Sequence, residues 1–200
     1  TAGIALRDFS GDFSLKGGLN GNFVARVNDG PAIRGTVVPA KHGTAVRVQS
    51  DNAGATLAAA GVYASARGGS FDMTLTPLPT SGHYDGRFAG SNLQVRNASA
   101  LAELLSAISV VGLLEQLNGQ GLVFNDVRGR FLLTPKAVEL RQGSAVGASL
   151  GVTMEGVYVS GSGKLAMQGV VSPIYLLNGI GATVTRRGEV VFRDRTRVVD

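Results

Sequence analysis

The chain has 200 residues, is 44% hydrophobic and 16% charged, and contains no cysteine. Such a composition excludes a disordered chain, a disulfide framework, a thiolate nucleophile and a Cys-based metal site. Its net charge of +5 is dispersed: residues 186–200 carry five arginines against three acids, and the other 14 basic groups are spread among 11 acidic ones. A nucleic-acid interface gathers its basic groups on one face, often with interleaved aromatics, so the distribution reads as a solvated outer face and no nucleic-acid partner.

From the N-terminus, Phe23, Ala25 and Val27, then Ile33, Gly35 and Val37, alternate with their neighbours in the period-2 pattern of strands with one apolar face. Asn28-Asp29-Gly30 and Lys41-His42-Gly43 are turn signals between them. Residues 51–60 (DNAGATLAAA) open on an N-cap residue and are Ala-rich, which predicts a short helix. Phe71, Met73 and Leu75 then alternate with Ser70, Asp72, Thr74 and Thr76. Residues 99–117 predict the longer helix, capped by Asn97 or Ser99, with Leu101, Leu104, Leu105 and Ile108 on one face and Glu103 and Ser106 opposite. Beyond Val110 and Val111 it is apolar nearly all round, and Gly112 is a candidate kink. Two readings of this helix stand: an ordinary core helix packed on a sheet, or a plug closing an apolar groove. It does not span a bilayer, because only 11 uncharged residues separate Glu103 from Glu115 and a span needs about 20.

Strand alternation resumes in Val127, Gly129, Phe131 and Leu133, in Val138 and Leu140, in Val152, Met154, Gly156 and Tyr158, and in Leu165, Met167, Gly169 and Val171. The turns Ser81-Gly82, Thr134-Pro135-Lys136 and 160–163 separate these runs. The predicted fold class is mainly β: a curved antiparallel meander with one long and one or two short helices. Segments 1–50, 61–98 and 120–172 read as continuous winding of one sheet. A chain opening on Thr1 reads as one piece of a larger protein.

A search for chemistry finds no enzyme. His42 and His83 both sit in turns beside glycine, with no second histidine three to five residues away, so no metal site is expected. Gly161-Ser162-Gly163 is a hairpin turn and not the elbow of a nucleophilic serine. Gly163-Lys164 is no phosphate loop, because Tyr158 stands where the first glycine belongs and Leu165 where Ser or Thr belongs. The carboxylates Asp72, Asp85, Asp126, Glu139 and Glu155 are scattered on polar strand faces. No cofactor is called for. What remains is apolar: Met73, Met154 and Met167 share a face with Phe71, Phe131 and branched aliphatics, either as a sealed sandwich core or as an adaptable binding surface.

Three stretches carry a family resemblance. They are VRVQSDNAGATLAAAGVYASARGGSFDMTLTPL, ALAELLSAISVVGLLEQLNGQGLVFNDVRGRFLLTPKAVEL, and GSAVGASLGVTMEGVYVSGSGKLAMQGVVSPIYLLNGIGATVTRRGE. Together, over about residues 45–188, they resemble the C-terminal region of the AsmA-like family, the YhdP/TamB-related envelope proteins. The most specific pieces are the helix followed by residues 119–124, the strand 145–156, and the run 167–178. The resemblance implies a periplasmic protein of a Gram-negative cell, anchored to the inner membrane through an N-terminal helix in the full-length protein. It implies a curved β-groove that conducts phospholipid towards the outer membrane, with acyl chains and envelope proteins as partners. It turns the apolar strip into a lipid groove lined by Phe71, Met73, Leu75, Phe131, Leu133, Leu140, Val152, Met154, Leu165, Met167 and Val171, with Leu104, Leu105 and Ile108 closing one end. The alternative is a non-transporting scaffold for outer-membrane assembly that acts through an exposed sheet edge. The anchor helix is not in this sequence, and residues 189–200 (EVVFRDRTRVVD) depart from the family's continuation.

Overall fold

The structure, a computed structural model, describes residues 4–97, 102, 111–173 and 190–194. The chain begins with strands β1 (Leu6–Ser14), β2 (Asn20–Val27), β3 (Ala32–Ala40) and β4 (Gly43–Ser50). Helix α1 (Ala53–Ala59) and the two-residue β5 (Ala66–Arg67) precede β6 (Ser70–Pro77) and β7 (Tyr84–Val95). Helix α2 (Val111–Asn118) then leads into β8 (Leu122–Leu133), β9 (Ala137–Gly147), β10 (Leu150–Val159), β11 (Lys164–Pro173) and β12 (Val190–Asp194). All strands belong to one antiparallel sheet in which chain neighbours are spatial neighbours, β5 alone standing off the path to pair with β7.

A meander of this kind puts its connections alternately at two ends. Turns 15–19, 41–42, 78–83, 134–136 and 160–163 lie at one, the hairpin end; α1, α2 and the turns 28–31 and 148–149 lie at the other, the helix end. The turns are built as their residues suggest. Thr134 Oγ1 accepts the Ala137 N–H at 2.9 Å, and Asn28 adopts φ +49°, a region asparagine tolerates. Asn28 also ties three pieces together: its Oδ1 accepts from Ala5 N at 2.9 Å and its Nδ2 donates to Ala59 O at 2.7 Å.

Helix α1 starts one residue later than residues 51–60, capped at Asp51, suggest. Asn52, not Asp51, is the N-cap, its Oδ1 accepting the Ala55 N–H at 3.1 Å. Asp51 is instead held by Arg34 in a two-bonded ion pair at 2.7 and 2.9 Å. Of the helix expected over 99–117, residue 102 and α2 fall within the described residues. Strands β1, β4 and β7 extend the meander beyond the runs picked out by alternation. The atypical tail contributes β12, which pairs antiparallel with β11.

Three apolar clusters anchor the sheet. Phe23, Ala25, Val27, Ile33 and Val37 pack on β2 and β3. Ala53 of α1 packs with Ala66, Phe71 and Leu93. Leu117 of α2 packs with Leu122, Phe124, Leu150, Val152 and Val171. Both helices therefore cover the helix end of a single face.

Candidate functional site

Residues directly opposite one another on neighbouring strands share a face. One row runs from Phe23 through Gly35, Val48, Met73, Phe88, Gly129, Gly143 and Met154 to Gly169, crossing β2 to β11 without leaving that face. Towards the hairpin end a parallel row joins Val37, Val46, Leu75, Gly86, Phe131, Leu140, Gly156 and Met167. The outermost row joins Pro77, Tyr84, Leu133, Val138, Tyr158 and Leu165. Towards the helix end, Phe71, Gly90, Val127, Ala145, Val152 and Val171 form another.

The rows place all eleven predicted groove residues that are described on this one face. Leu104, Leu105 and Ile108 lie outside the described residues. The eleven divide by burial. Phe71, Val152 and Val171 are buried beneath α1 and α2 and pack against other core side chains. Met73, Leu75, Phe131, Leu133, Leu140, Met154 and Met167 are half-buried, and Leu165 is 37% exposed. Among the described residues no second layer of the fold covers this middle and hairpin-end part of the face.

Glycines give the strip its surface. A Cβ at Gly35 or Gly86 would run into the rings of Phe23 and Phe131, and one at Gly143 would come within 2.9 Å of both Leu140 and Met154. Large side chains thus lie over neighbouring glycines of the same or the adjacent strand, which makes a smooth apolar floor. Phe88, Val48, Val46, Tyr84 and Tyr158 belong to that floor and were not among the expected residues. The run Gly86-Arg87-Phe88-Ala89-Gly90 carries the signal for Phe88 in its Gly-x-Phe-x-Gly spacing.

A concave hollow lies elsewhere. About 940 Å³ of concave space lies over β6 to β11 on the opposite, polar face, lined by side chains such as Thr74, Arg87, Arg130, Gln142 and Glu155. A twisted sheet is saddle-shaped, so each face is concave along one diagonal. Register shifts at Phe124/Asp126, Arg130/Phe131 and Met154/Gly156 add local bends in the same region. Alternation reveals which residues share a face but not which way the face curves.

Electrostatic perturbation is concentrated on the polar face near β4. Arg47 grips Asp72 through both carboxylate oxygens, and Gln49 donates to it at 3.0 Å. The Arg47 hydrogen bonds hold the Asp72 carboxyl below its usual range, opposed by some burial. Arg34 does the same to Asp51. Burial raises the Tyr63 hydroxyl, which donates to Arg96 O at 2.7 Å. His83 Nδ1 lies 3.1 Å from Ser81 O in its own turn. Among the described residues no three His, Asp or Glu side chains converge as a metal site, and no helix is long and apolar enough to cross a membrane. Comparison with protein-family models, curated proteins and solved structures finds no match to this chain.

Proposed function

We propose that the uncovered part of the apolar face is a lipid track, and that the chain is a lipid-binding and lipid-conducting module of a Gram-negative envelope protein. One observation carries the reading: adjoining rows of apolar side chains and glycines cross from β6 to β11 on one face, and among the described residues no layer of the fold lies above their middle and hairpin-end part. An exposed apolar surface of this extent is a site for an apolar partner. An acyl chain laid on it gains about 0.8 kcal/mol for each CH₂ removed from water. Three methionines and the flat aromatic rings accommodate chains of differing shape. Tyr84 and Tyr158, at the hairpin end, give the track an amphipathic margin suited to a lipid's polar boundary. The periplasmic setting, the inner-membrane anchor of the full-length protein and the direction towards the outer membrane rest on the AsmA-like sequence resemblance.

Native mass spectrometry of the purified chain, with lipid extraction alongside, tests the track. The wild-type chain is expected to carry phospholipid, and Met154→Arg or Met167→Asp to lose it while keeping the wild-type circular dichroism spectrum. An empty wild-type chain, or variants that unfold because the face is a closed core, counts against it.

A second reading is favoured by β1. All nine residues of this edge strand are exposed, Phe9 and Phe13 among them. A sheet edge in this state is a template for strand addition, which suits a scaffold for outer-membrane assembly. A chain that holds no lipid yet captures an outer-membrane protein, and loses it on Gly11→Pro, supports this alternative.

A further inference from the structure

The polar face assembles a feature that residue order conceals. Three consecutive strands each carry an acid two residues before an arginine: Asp85 and Arg87 on β7, Asp126 and Arg128 on β8, Glu139 and Arg141 on β9. These ion pairs run along a single strand, at 3.9, 3.0 and 3.5 Å. The three arginines line the hollow, and Asp85, Asp126 and Glu139 are not among its lining residues. Across strands the arginines meet other partners. Arg87 is directly opposite Arg130, Arg130 is opposite Gln142, and Arg128 is opposite Ala89 and Ser144. Arg130 has no carboxylate within ion-pairing distance among the described residues.

Like charges placed directly opposite on neighbouring strands destabilise a sheet. Here two such guanidinium groups flank a concave space of about 940 Å³ whose lining includes Arg87, Arg128, Arg130 and Arg141. Two carboxylates line the same space, and both already accept hydrogen bonds. Asp72 is taken by Arg47 and Gln49, and Glu155 accepts from Gln168. Gln142, Ser144 and Thr153 add neutral hydrogen-bonding groups to the same surface.

We infer that this hollow is an anion site for a diphosphate or similarly dense phosphate group on a water-soluble ligand. Facing residues on paired strands are about 5 Å apart and residues two along a strand about 7 Å apart. Arg87, Arg130 and Arg128 therefore span the reach of two adjacent phosphates. Guanidinium forks match phosphate oxygens in two-bonded geometry. A ligand of this charge relieves the opposed pair and binds all three arginines at once. The soluble source follows from placement: the hollow and the apolar strip are on opposite faces, so a lipid lying on the strip cannot put its headgroup here. The inference stands apart from the lipid reading.

Titration of the purified chain with inorganic pyrophosphate, by calorimetry at low ionic strength, tests it. Binding is expected, with Arg87→Gln and Arg130→Gln each weakening it about tenfold, the loss of one charge-assisted contact. Arg34→Gln, which removes the same charge outside the hollow, is expected to leave affinity unchanged. Arg130→Gln is expected to melt no lower than wild type in the absence of pyrophosphate, because it removes the opposed pair. No binding at millimolar pyrophosphate overturns the inference, as does equal affinity for the wild type and both hollow variants. A parallel arm uses phosphatidylcholine vesicles containing phosphatidylglycerol. If vesicles bind through Arg87 and Arg130 while pyrophosphate does not, the surface reads membranes and the soluble assignment falls.

Discussion

Among the described residues, every ion pair of the first strands of the sheet links neighbouring elements, and none of those in β7 to β9 does. Arg26 of β2 reaches Asp8 of β1, Arg34 of β3 reaches Asp51 beyond β4, and Arg47 of β4 reaches Asp72 of β6. Arg87, Arg128 and Arg141 reach only along their own strands. The two regions use the same residue types in the same alternation. Opposed arginines occur in both regions, Arg7 opposite Arg26 and Arg87 opposite Arg130; the difference is that Arg7 and Arg26 have Asp29 and Asp8 of neighbouring elements within reach. The apolar face repeats the contrast. Phe23, Ala25 and Ile33 are buried, with Phe9 stacked on Phe23 at 5.2 Å, whereas Met73, Phe131 and Met154 are left half-buried. Strands β2 and β3 thus bury their apolar centre, whereas among the described residues β6 to β10 leave theirs half-buried.

The largest expected effect separates sealed apolar rows from open ones. Leu117 is fully buried against Leu150 and Val171, so Leu117→Ala is expected to lower stability by about 2–5 kcal/mol. Met154→Ala, on the open part of the same face, is expected to lower it by about 1 kcal/mol or less. Urea unfolding of both variants measures the difference, and equal losses would erase the distinction. A middle effect belongs to the glycine floor. Gly35→Val drives a branched side chain into the Phe23 ring, with an expected loss of about 1–3 kcal/mol.

The smallest effect concerns the polar face. Arg47→Gln is expected to lower stability only slightly at neutral pH, since the Arg47–Asp72 pair is substantially exposed and screened. Arg47 depresses the folded-state pKa of Asp72. Its contribution is therefore fully present above the unfolded carboxylate pKa and is lost as pH falls through the lower folded value. Thermal melts should show wild type and Arg47→Gln converging in that acid window. Arg130→Gln, in the other region, should show no loss at neutral pH.

Much of this was legible in the sequence. Period-2 alternation at Phe71, Met73 and Leu75 and at Val152, Met154 and Gly156 gave both the strands and their shared face, because a strand's side chains have no other way to point. Turn residues such as Asn28 and Thr134 marked the reversals. Strand β1 was harder, since LRDFSGDFS sets Phe9, Gly11 and Phe13 among charges and its register slips between Arg7 and Ser10. Burial was not legible: Val171 and Met167 look alike in the sequence, and only the position of α2 seals the first and leaves the second open. The arginine hollow was least legible of all. Arg87 and Arg130 are 43 residues apart, and their opposition depends on the pairing of β7 with β8; in linear order each simply follows an acid or another arginine.

The most direct test of the central claim, that the uncovered apolar rows are the lipid track, is photo-crosslinking with a phospholipid bearing a diazirine in its acyl chain. Adducts mapped by mass spectrometry are predicted on Met73, Phe88, Phe131, Met154 and Met167, and not on Leu150 or Val171 beneath α2. Adducts confined to the polar face, or no adducts on the folded chain, would contradict it.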